Sequence, residues 1–348
     1  MKETLLADFE IIFEHSRESL ERLKGRRLLL TGGTGFFGKR ILGFLNYANL
    51  VKGLGLRIEV LSRDPERFLS EFPEFNHELI GFIQGDVRTF SAQGEVDFVI
   101  HAATEASAKL NDERPGEMFD VIVAGTKHVF EVCKGLKSKR ILLTSSGAVY
   151  GTQAPDVTHQ PDESMTGPDL HQVGSAYAEG KRVSELLGAF HHRETGQEVV
   201  FARCFAFVGP YLPLDTHFAV GNFIRDCLQG SEIVIKGDGT PHRSYMYAAD
   251  LVIWLLKMLT YGKNLRSYNV GSEESLSIEE LAQAVSRSWE SLTGRRVGVR
   301  VLGKKMPGAP VLRYVPRVGR ANAELGLGLV FNTDQALAKT LTWNLQSE

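Results

Sequence analysis

Short apolar runs alternate with longer segments of helical spacing from residue 26 onward. The apolar runs predict strands at RRLLLT (26–31), RIEVLS (57–62), GFIQGD (81–86), VDFVIHAA (96–103), RILLTSS (140–146) and EVVFARCF (198–205). Between them, apolar positions follow helical spacing near residues 36–50, 116–135 and 175–195. Strand and helix in alternation predict an α/β fold with a doubly wound parallel sheet and right-handed crossovers. Ligands of such a sheet bind at the carboxyl ends of its strands.

This alternation stops after Gly209 and Pro210. Helical patterns then fall near residues 218–229, 249–260 and 277–292, and the segment EIVIKGDG between the first two contains a short strand. We therefore expect a sheet domain over residues 26–210 and a smaller mixed α/β C-terminal lobe over residues 211–348. Strands or helices can exchange between the two, and the binding cleft is expected between them.

Residues 1–25 predict an additional helix before the first strand. Apolar residues at positions 5, 6, 9, 12, 13, 20 and 23 follow helical spacing. The partner of this helix is either the sheet of the same chain or a second subunit. Acidic residues are scattered through the segment, which excludes a secretory signal and a membrane-spanning helix. A cytoplasmic protein is expected.

Composition narrows the classes of partner. Of the 348 residues, 43% are hydrophobic and 24% are charged, and the formal net charge is −2. Without a long basic run, neither nucleic acid nor a membrane surface is an expected partner. Cys133, Cys204 and Cys227 are widely spaced and form no C-x-x-C pair, so we expect buried thiols in a reducing compartment. No metal site is predicted.

A glycine-rich segment, LLLTGGTGFFGKR at residues 28–40, joins the first predicted strand to the first long helix. Gly32, Gly35 and Gly38 satisfy G-x-x-G-x-x-G, and Gly33 with the last two satisfies G-x-G-x-x-G. Strand, glycine turn and helix together are the context of a dinucleotide fingerprint. The free N–H groups of the helix start, with the positive end of its dipole, favour a phosphate at this position.

Two later segments bring polar side chains to the same edge. The strand RILLTSS ends in hydroxyl groups at Thr144, Ser145 and Ser146. Tyr177 and Lys181 stand four residues apart on a predicted helix and therefore on one face. An ammonium group beside a phenol favours the phenolate, so we expect the pKa of Tyr177 to fall below its ordinary value of about 10.

These segments, in this order, resemble the extended short-chain dehydrogenase/reductase family, in its nucleotide-sugar epimerase, dehydratase and reductase branch. The resemblance runs from about residue 26 to 330. It rests on TGGTGFFG, GDV (85–87), HAA (101–103), SSGAVYG (145–151), YAEGK (177–181), ARCFAFVGP (202–210), KGDGTPHRSYMYAAD (236–250) and YNVGSEESLSI (268–278). The resemblance implies a Rossmann-type fold and an NAD(P)-dependent enzyme acting on a nucleoside-diphosphate sugar.

The resemblance also implies site residues. Tyr177 exchanges a proton with a sugar oxygen, Ser146 hydrogen-bonds the same oxygen, and Lys181 holds the nicotinamide ribose. The other residues implied to bind the cofactor, together with Tyr177 and Lys181, are Gly32, Gly35, Phe36, Phe37, Gly38, Ser62, Arg63, Asp86, Val87, Ala102, Ala103 and Thr104. The residues implied to bind the substrate are Ser146, Gly147, Asn222, Arg243 and Arg313. A homodimer formed through the helices near 116–135 and 175–195 is a further expectation.

The chain departs from the family pattern in the cofactor and reaction motifs. NAD-specific members carry an aspartate after the second strand, where this chain has Ser62 and Arg63. Because a hydroxyl and a guanidinium can bind a 2′-phosphate, these two residues favour NADP(H) over NAD(H). In the alternative, Arg63 faces solvent and Asp64 takes the acidic role. Dehydratases carry an Asp-Glu pair where this chain has Gly147 and Ala148, neither of which can move a proton.

Two family asparagines are also replaced, by Ile122 and Ala206. The leading hypothesis is therefore a 4-keto-6-deoxy sugar nucleotide reductase or a sugar nucleotide epimerase, with NADP(H) tilting the choice towards a reductase. A sugar nucleotide dehydratase and a dinucleotide-sensing regulator without catalysis are the alternatives. The sequence leaves the nucleotide base and the sugar configuration open.

Overall fold

The computed structural model describes residues 3–104, 108–215 and 218–346. Seven parallel strands form its large sheet. They are β1 (Arg27–Thr31), β2 (Arg57–Ser62), β3 (Ile80–Gln84), β4 (Phe98–His101), β5 (Arg140–Ser146), β6 (Glu198–Cys204) and β11 (Ser267–Val270). Their spatial order is β11-β6-β5-β4-β1-β2-β3. The doubly wound α/β fold and the six predicted strands are confirmed, with β3 and β4 ending before the residues that turn towards the site.

The direction of winding reverses between β1 and β4. β1 pairs with β2 on one side and with β4 on the other, and Thr31 lies opposite Leu61 and His101 in the two registers. In open α/β sheets the ligand crevice lies at this reversal, outside the carboxyl ends of the strands. The glycine segment follows β1 directly, and so it lies at the crevice.

Helices cover both faces of the sheet and build the smaller lobe. They are α1 (Glu3–Leu23), α2 (Phe36–Lys52), α3 (Pro65–Glu71), α4 (Ala108–Glu113), α5 (Pro115–Leu136), α6 (Ala176–Thr195), α7 (Ala219–Leu228), α8 (Ala248–Tyr261), α9 (Ile278–Thr293), α10 (Gly319–Leu325) and α11 (Thr333–Leu345). Short 3₁₀ turns lie at Pro73–Phe75, Gly147–Tyr150 and Val173–Ser175. The chain after residue 210 returns to the large sheet, because β11 pairs with β6.

Short strands assemble the smaller lobe. They are β7 (Phe207–Val208), β8 (Ile233–Ile235), β9 (His242–Arg243), β10 (Met246–Tyr247), β12 (Leu276–Ser277), β13 (Val299–Val301) and β14 (Arg313–Tyr314). β9 lies between β12 and β14 in a three-stranded sheet, and β7 with β10 and β8 with β13 form pairs. In the three-stranded sheet Tyr314 lies opposite Arg243, and this register brings the C-terminal part of the chain to the cleft.

The additional helix α1 packs on its own chain. Leu5, Phe9, Ile12, Leu20 and Leu23 are buried in the main core, and the ring of Phe9 lies 6.0 Å from that of Phe44 on α2. Within the chain, the helix contacts α2 and α8, which lie between it and the sheet that was one of its two expected partners. The part of the chain that the structure describes contains no helix with the length and apolar character needed to span a bilayer.

Candidate active site

The glycine turn after β1 is shaped by the backbone around it. Gly32 has a φ of +75°, and a Cβ there would lie 2.4 Å from the carbonyl oxygen of Ala102 at the end of β4. A Cβ on Gly38 would lie 2.1 Å from the carbonyl oxygen of Gly32. Any side chain at these two positions collides with backbone, which no rotamer change can relieve. The close passage of the turn against the backbone of Ala102 and Ala103 explains why position 32 is a glycine.

Gly35 differs from its two neighbours in the fingerprint. It is exposed, it precedes the first residue of α2, and no side chain caps that helix. A Cβ on Gly35 would meet nothing closer than the carbonyl oxygen of Gly32, at 3.5 Å. The protein itself therefore has room for a side chain here. A glycine at this position leaves the first N–H groups of α2 open to an anionic group, so the segment fits a dinucleotide diphosphate.

Phe36 and Phe37 open α2 and turn towards the interior. The ring of Phe37 lies 4.9 Å from that of Phe207 on β7, nearly perpendicular to it, and Phe36 lies 5.6 Å from Phe37. Both side chains pack on the main core. Their implied contact with a dinucleotide stays a prediction.

Polar groups after β2 and β3 form the adenosine end of the predicted site. Ser62 is buried, and its Oγ accepts a hydrogen bond from Asp64 N at 3.3 Å. The Asp64 carboxylate in turn accepts from Arg67 N at 3.0 Å and caps α3. Arg63 lies close enough to Asp86 for its charge to act on that carboxylate.

Asp86 and Val87 follow β3, and both already have partners within the protein. Hydrogen bonds from Arg88, with a smaller effect of the Arg63 charge, lower the pKa of Asp86. Arg88 Nε donates to Asp86 at 2.9 Å, and its NH1 donates to Asp120 on α5 at the same distance. Val87 packs against Gly125, where a Cβ would come within 2.9 Å of its methyl group. These contacts fix the loop after β3 against α5.

Lys181 lies where β4 and β5 end. Its Nζ donates to Thr104 Oγ1 at 2.9 Å and to the carbonyl oxygen of Thr144 at 2.7 Å. Burial lowers the pKa of Lys181 to about 8. Two of its three protons thus tie α6 to the ends of two neighbouring strands. Thr104, implied by the resemblance, and the main chain of Thr144 are the groups that orient this ammonium.

Tyr177 lies one helical turn before Lys181 on the same face, as their spacing predicts. Lys181 Nζ is 5.9 Å from the centre of the Tyr177 ring. The expected fall in the pKa of Tyr177 is wrong for this structure: burial raises it to about 12, and a hydrogen bond with Ser146 opposes only part of that rise. The physical reason is that desolvation of the phenolate outweighs the ammonium, whose protons point at Thr104 and Thr144.

Asn111 on α4 and Ile122 on α5 hold Tyr177, and the role of Asn111 was not predicted from the sequence. Asn111 on α4 accepts from Tyr177 N at 3.1 Å and donates to Gly174 O at 3.0 Å, which fixes the start of α6. Ile122 packs with Leu110 and Met118 in a small apolar cluster against Tyr177. Ile122 therefore supports the phenol by packing, where relatives were expected to place an asparagine.

Ser146 ends β5 and faces Tyr177. Its Oγ accepts from Ala148 N at 3.1 Å, and it lies 3.4 Å from the hydroxyl of Tyr314. Tyr314 comes from β14 in the smaller lobe and was not predicted. No local signal marks it, because its place depends on the pairing of β14 with β9.

An aromatic ring packs so closely on Gly147 that no side chain fits at this position. A Cβ there would lie 2.6 Å from the ring of Phe205, which follows β6. The Phe205 ring lies 4.7 Å from that of Tyr314, tilted by 36° against it. The Phe205 ring, backed by Tyr314, therefore fills the space in which dehydratases carry the first residue of their acidic pair. We call these two rings the wall at Gly147.

Of the five predicted substrate residues, the three that follow residue 210 lie in different elements of the smaller lobe. Arg243 on β9 lies over the ring of Tyr314, at 5.9 Å, and Arg313 on β14 donates to Pro155 O at 3.1 Å. Asn222 on α7 accepts from Arg225 at 3.1 Å. The sheet brings the two arginines onto neighbouring strands. Within residues 3–104, 108–215 and 218–346, no hydrogen bond joins Asn222 to either of them.

A buried polar chain lies beneath the site and was also missed. His101 Nδ1 is 2.7 Å from Thr31 Oγ1, and His101 Nε2 is 3.2 Å from Thr126 Oγ1, which lies 3.0 Å from Ser184 Oγ on α6. Burial lowers the pKa of His101 to about 3, and the Lys181 charge acts in the same direction. A neutral His101 therefore links β1, α5 and α6 under the cleft.

Comparison with known proteins identifies the family of the chain. The family model described as the NAD dependent epimerase/dehydratase family matches residues 28–271. UDP-glucuronic acid decarboxylase 3 of Arabidopsis thaliana is 31% identical over 261 residues, which cover 74% of this chain and 73% of the relative.

Solved structures of enzymes that act on nucleotide sugars have the same fold as this chain. A UDP-N-acetylglucosamine 4-epimerase from Methanobrevibacter ruminantium has a TM-score of 0.78 at 22% identity and covers 93% of this chain and 100% of its own. A dTDP-glucose 4,6-dehydratase from Streptomyces venezuelae, solved with NAD, has a TM-score of 0.75 at 24% identity and covers 92% and 97%. From the extent of the family match and this sequence identity, we conclude that the chain belongs to the NAD dependent epimerase/dehydratase family.

Proposed function

We propose that the protein transfers hydride between a nicotinamide dinucleotide and the sugar of a nucleoside-diphosphate hexose, as a 4-keto-6-deoxy sugar nucleotide reductase or a sugar nucleotide epimerase. The observation that carries this proposal is the convergence of Ser146, Tyr177 and Lys181 where β4 and β5 end. A phenol, a hydroxyl and an ammonium beside a phosphate-binding turn are the groups that carbonyl reduction requires.

The residues that would hold the dinucleotide lie along the carboxyl edge of the sheet. The turn at Gly32, Gly35 and Gly38 would receive the diphosphate, and Thr104 with Lys181 the nicotinamide ribose. When bound, the dinucleotide supplies or accepts the hydride. The part of the chain up to residue 210 would thus bind the cofactor, and the part from residue 211 would bind the sugar nucleotide.

Tyr177 and Ser146 would handle the proton at the sugar oxygen. In the direction of reduction Tyr177 donates its phenolic proton to that oxygen, and in oxidation its phenolate removes one. Ser146 donates a hydrogen bond to the same oxygen as negative charge develops on it. Lys181, with a pKa of about 8, is mostly protonated at neutral pH, and its charge stabilises the phenolate that forms.

The wall at Gly147 favours hydride transfer over dehydration. Loss of water needs an acid and a base next to the sugar, and neither Gly147 nor Ala148 has a group that transfers a proton. Phe205 leaves no space for a side chain at position 147. The reductase and the epimerase need no such pair.

Decarboxylation of a nucleoside-diphosphate uronic acid is the second candidate. The observation that favours it is the likeness to the Arabidopsis thaliana decarboxylase. Oxidation at C4 of a uronic acid gives a β-keto acid, which loses carbon dioxide without a further acidic side chain. Ser146, Tyr177 and Lys181 would serve this oxidation as they serve the reductase.

Arg63 and Ser62 support NADP(H) as the cofactor. Asp64, the alternative acidic residue, already caps α3 with its carboxylate. Arg63 lies exposed at the end of β2, close to Asp86. A guanidinium at this place would attract a 2′-phosphate, whereas the Streptomyces venezuelae dehydratase was solved with NAD.

Two further parts of the proposal concern the substrate and the assembly. Arg243, Arg313 and Asn222 would bind the diphosphate of the sugar nucleotide, because a guanidinium binds phosphate oxygens in pairs.

A homodimer through α5 and α6 is supported by exposed apolar side chains on α6, where Leu186 is 52% and Phe190 is 56% exposed. Replacing both by glutamate should yield monomers in light scattering.

Tyr177→Phe tests the function. The variant keeps the ring against the apolar cluster of Leu110, Met118 and Ile122 and removes only the hydroxyl. The assay supplies NADPH or NADH with 4-keto-6-deoxy sugar nucleotides, and separately NAD(P)⁺ with UDP-hexoses and UDP-glucuronate. We expect turnover by the parent protein and a loss of about 100-fold or more in the variant. Binding of dinucleotide without any turnover would instead favour the sensing regulator, and release of carbon dioxide would identify the decarboxylase.

A further inference from the structure

Tyr314 of the smaller lobe reaches the hydroxyl that is proposed to bind the sugar oxygen. Its hydroxyl lies 3.4 Å from Ser146 Oγ and 3.4 Å from the carbonyl oxygen of Cys204. Its ring packs against that of Phe205 at 4.7 Å, and the Arg243 guanidinium lies over the ring at 5.9 Å. The side chain is thus held on both sides by elements that do not belong to the catalytic helix.

The hydrogen-bonding capacity of Ser146 is limited. A serine hydroxyl has one proton and two lone pairs. One lone pair accepts from Ala148 N at 3.1 Å. If Tyr314 donates to the second lone pair, both acceptor positions of Ser146 are occupied. The Ser146 proton then has to be donated, and the Tyr177 hydroxyl, which is within hydrogen-bonding reach of Ser146, lies on the side where the sugar oxygen is proposed to bind.

Tyr314 is suited to remain a donor. Burial raises its pKa, the hydrogen bond with Ser146 opposes part of that rise, and the neighbouring Tyr177 adds to it. The Tyr314 hydroxyl can instead donate to the carbonyl oxygen of Cys204. In that arrangement Ser146 can donate to Tyr314, and the Ser146 proton then turns away from the cleft. Catalytic hydrogen bonds that are long in the absence of substrate tighten when the substrate binds, which fits the separation of 3.4 Å.

We propose that Tyr314 is a positioning residue: by donating to Ser146 Oγ it directs the single Ser146 proton to the reacting sugar oxygen beside Tyr177. This inference rests on the proposed function. It adds a residue of the smaller lobe to the proton-handling machinery, so that the smaller lobe sets the direction of a hydroxyl on the large sheet.

A double-mutant cycle between Tyr314 and Ser146 tests the inference. Tyr314→Phe keeps the ring on Phe205, so we expect a loss of about 10- to 100-fold in kcat with little change in KM. Ser146→Ala alone should also lower kcat. In the Ser146→Ala background Tyr314→Phe should have no further effect, since there is no hydroxyl left to direct.

Readouts other than turnover separate this role from a structural one. Calorimetry should give the same dissociation constant for a nucleoside-diphosphate sugar in the parent and in Tyr314→Phe, and their melting temperatures should agree. Tyr261→Phe is the matched control: it removes a phenol hydroxyl bonded to Glu18 O, far from the cleft, and should keep the kcat of the parent protein.

Two outcomes overturn the inference and leave the proposed function standing, and a third overturns both. If Tyr314→Phe lowers kcat by the same factor with and without the Ser146 hydroxyl, Tyr314 acts independently of Ser146. If it retains the kcat of the parent while Tyr177→Phe is inactive, the positioning role fails and the proposed function stands. A parent protein that turns over none of the sugar nucleotides would refute both together.

Discussion

The carboxylate of Asp8 lies 2.8 Å from the guanidinium of Arg40, and neither side chain has any exposure to solvent. The same carboxylate accepts from the Tyr247 hydroxyl at 2.7 Å and from Lys339 Nζ at 3.0 Å. One buried group thus joins α1, α2, the start of α8 and α11. The additional N-terminal helix is therefore an integral part of the chain's own fold and links the sheet to the smaller lobe.

Asp8→Asn should destabilise the protein strongly. The substitution leaves the fully buried Arg40 without its counter-charge, and breaking a buried pair in this way costs about 3–5 kcal/mol. Urea unfolding curves should show that loss. Glu14→Gln is the control: it breaks the exposed pair with Arg17 and should change the free energy of unfolding by less than about 1 kcal/mol. Equal losses in the two variants would contradict the assignment of the Asp8 cluster as a brace.

Gly35→Ala should weaken dinucleotide binding without weakening the fold. A methyl group at position 35 meets no protein atom closer than 3.5 Å, so the melting temperature should not fall. It would occupy space beside the open N–H groups of α2, and overpacking a contact costs about 1–3 kcal/mol, or roughly tenfold or more in affinity.

Gly38→Ala provides the contrast. Its Cβ would lie 2.1 Å from the carbonyl oxygen of Gly32, so this variant should lose stability as well as binding. Isothermal calorimetry with NADPH and NADH, alongside thermal unfolding, measures both quantities. Unchanged affinity in Gly35→Ala would show that no ligand approaches the turn at this residue.

Gly147→Ala should destabilise the protein through Phe205. The added methyl group comes within 2.6 Å of the ring, and we expect a loss of about 1–3 kcal/mol. In a Phe205→Ala background the same substitution should cost nothing, because the ring has gone. Gly116→Ala, whose Cβ meets no atom within 4 Å, is the control. If the free-energy losses of Gly147→Ala and Phe205→Ala simply add in the double variant, the added methyl group clashes with a residue other than Phe205.

His101 should contribute a measurable acid dependence. The folded pKa of about 3 lies below the ordinary 6.5, so between these values the unfolded chain binds a proton that the folded protein refuses. The stability that neutral His101 provides is complete above pH 6.5 and is lost as the pH falls towards 3, by up to about 1.4 kcal/mol per pH unit. His101→Gln, which cannot titrate, should flatten this slope. The check is the free energy of unfolding of both proteins across that window; parallel curves would exclude the effect.

Arg63→Gln should change the choice of cofactor. If the guanidinium binds a 2′-phosphate, its loss raises KM for NADPH by about tenfold or more and leaves KM for NADH nearly unchanged. Arg67→Gln, which removes another exposed cation one turn further along, should have little effect on either. An equal change for both cofactors, or none, would show that Arg63 does not select NADP(H).

Local pattern was sufficient for the elements and for part of the site. Six strands of the large sheet, the fingerprint at Gly32, Gly35 and Gly38, and the shared face of Tyr177 and Lys181 all depend on short stretches of sequence. Alternation, helical spacing and glycine turns are properties of neighbouring residues, which is why they can be predicted without a structure. The membership of the chain in its family followed from the same stretches taken in order.

Tertiary contacts decided what those stretches could not. Tyr314 reaches Ser146 only through the pairing of β14 with β9, Phe205 meets Gly147 across the end of the sheet, and Asp8 gathers cations from α2 and α11. The rise in the pKa of Tyr177 belongs to the same class, because desolvation depends on everything packed around the phenol and not on the lysine one turn away. Sequence alone determined which groups this protein carries to the edge of its sheet. Only the packed structure decided which of them touch and how water is excluded, since both depend on contacts between residues far apart in the chain.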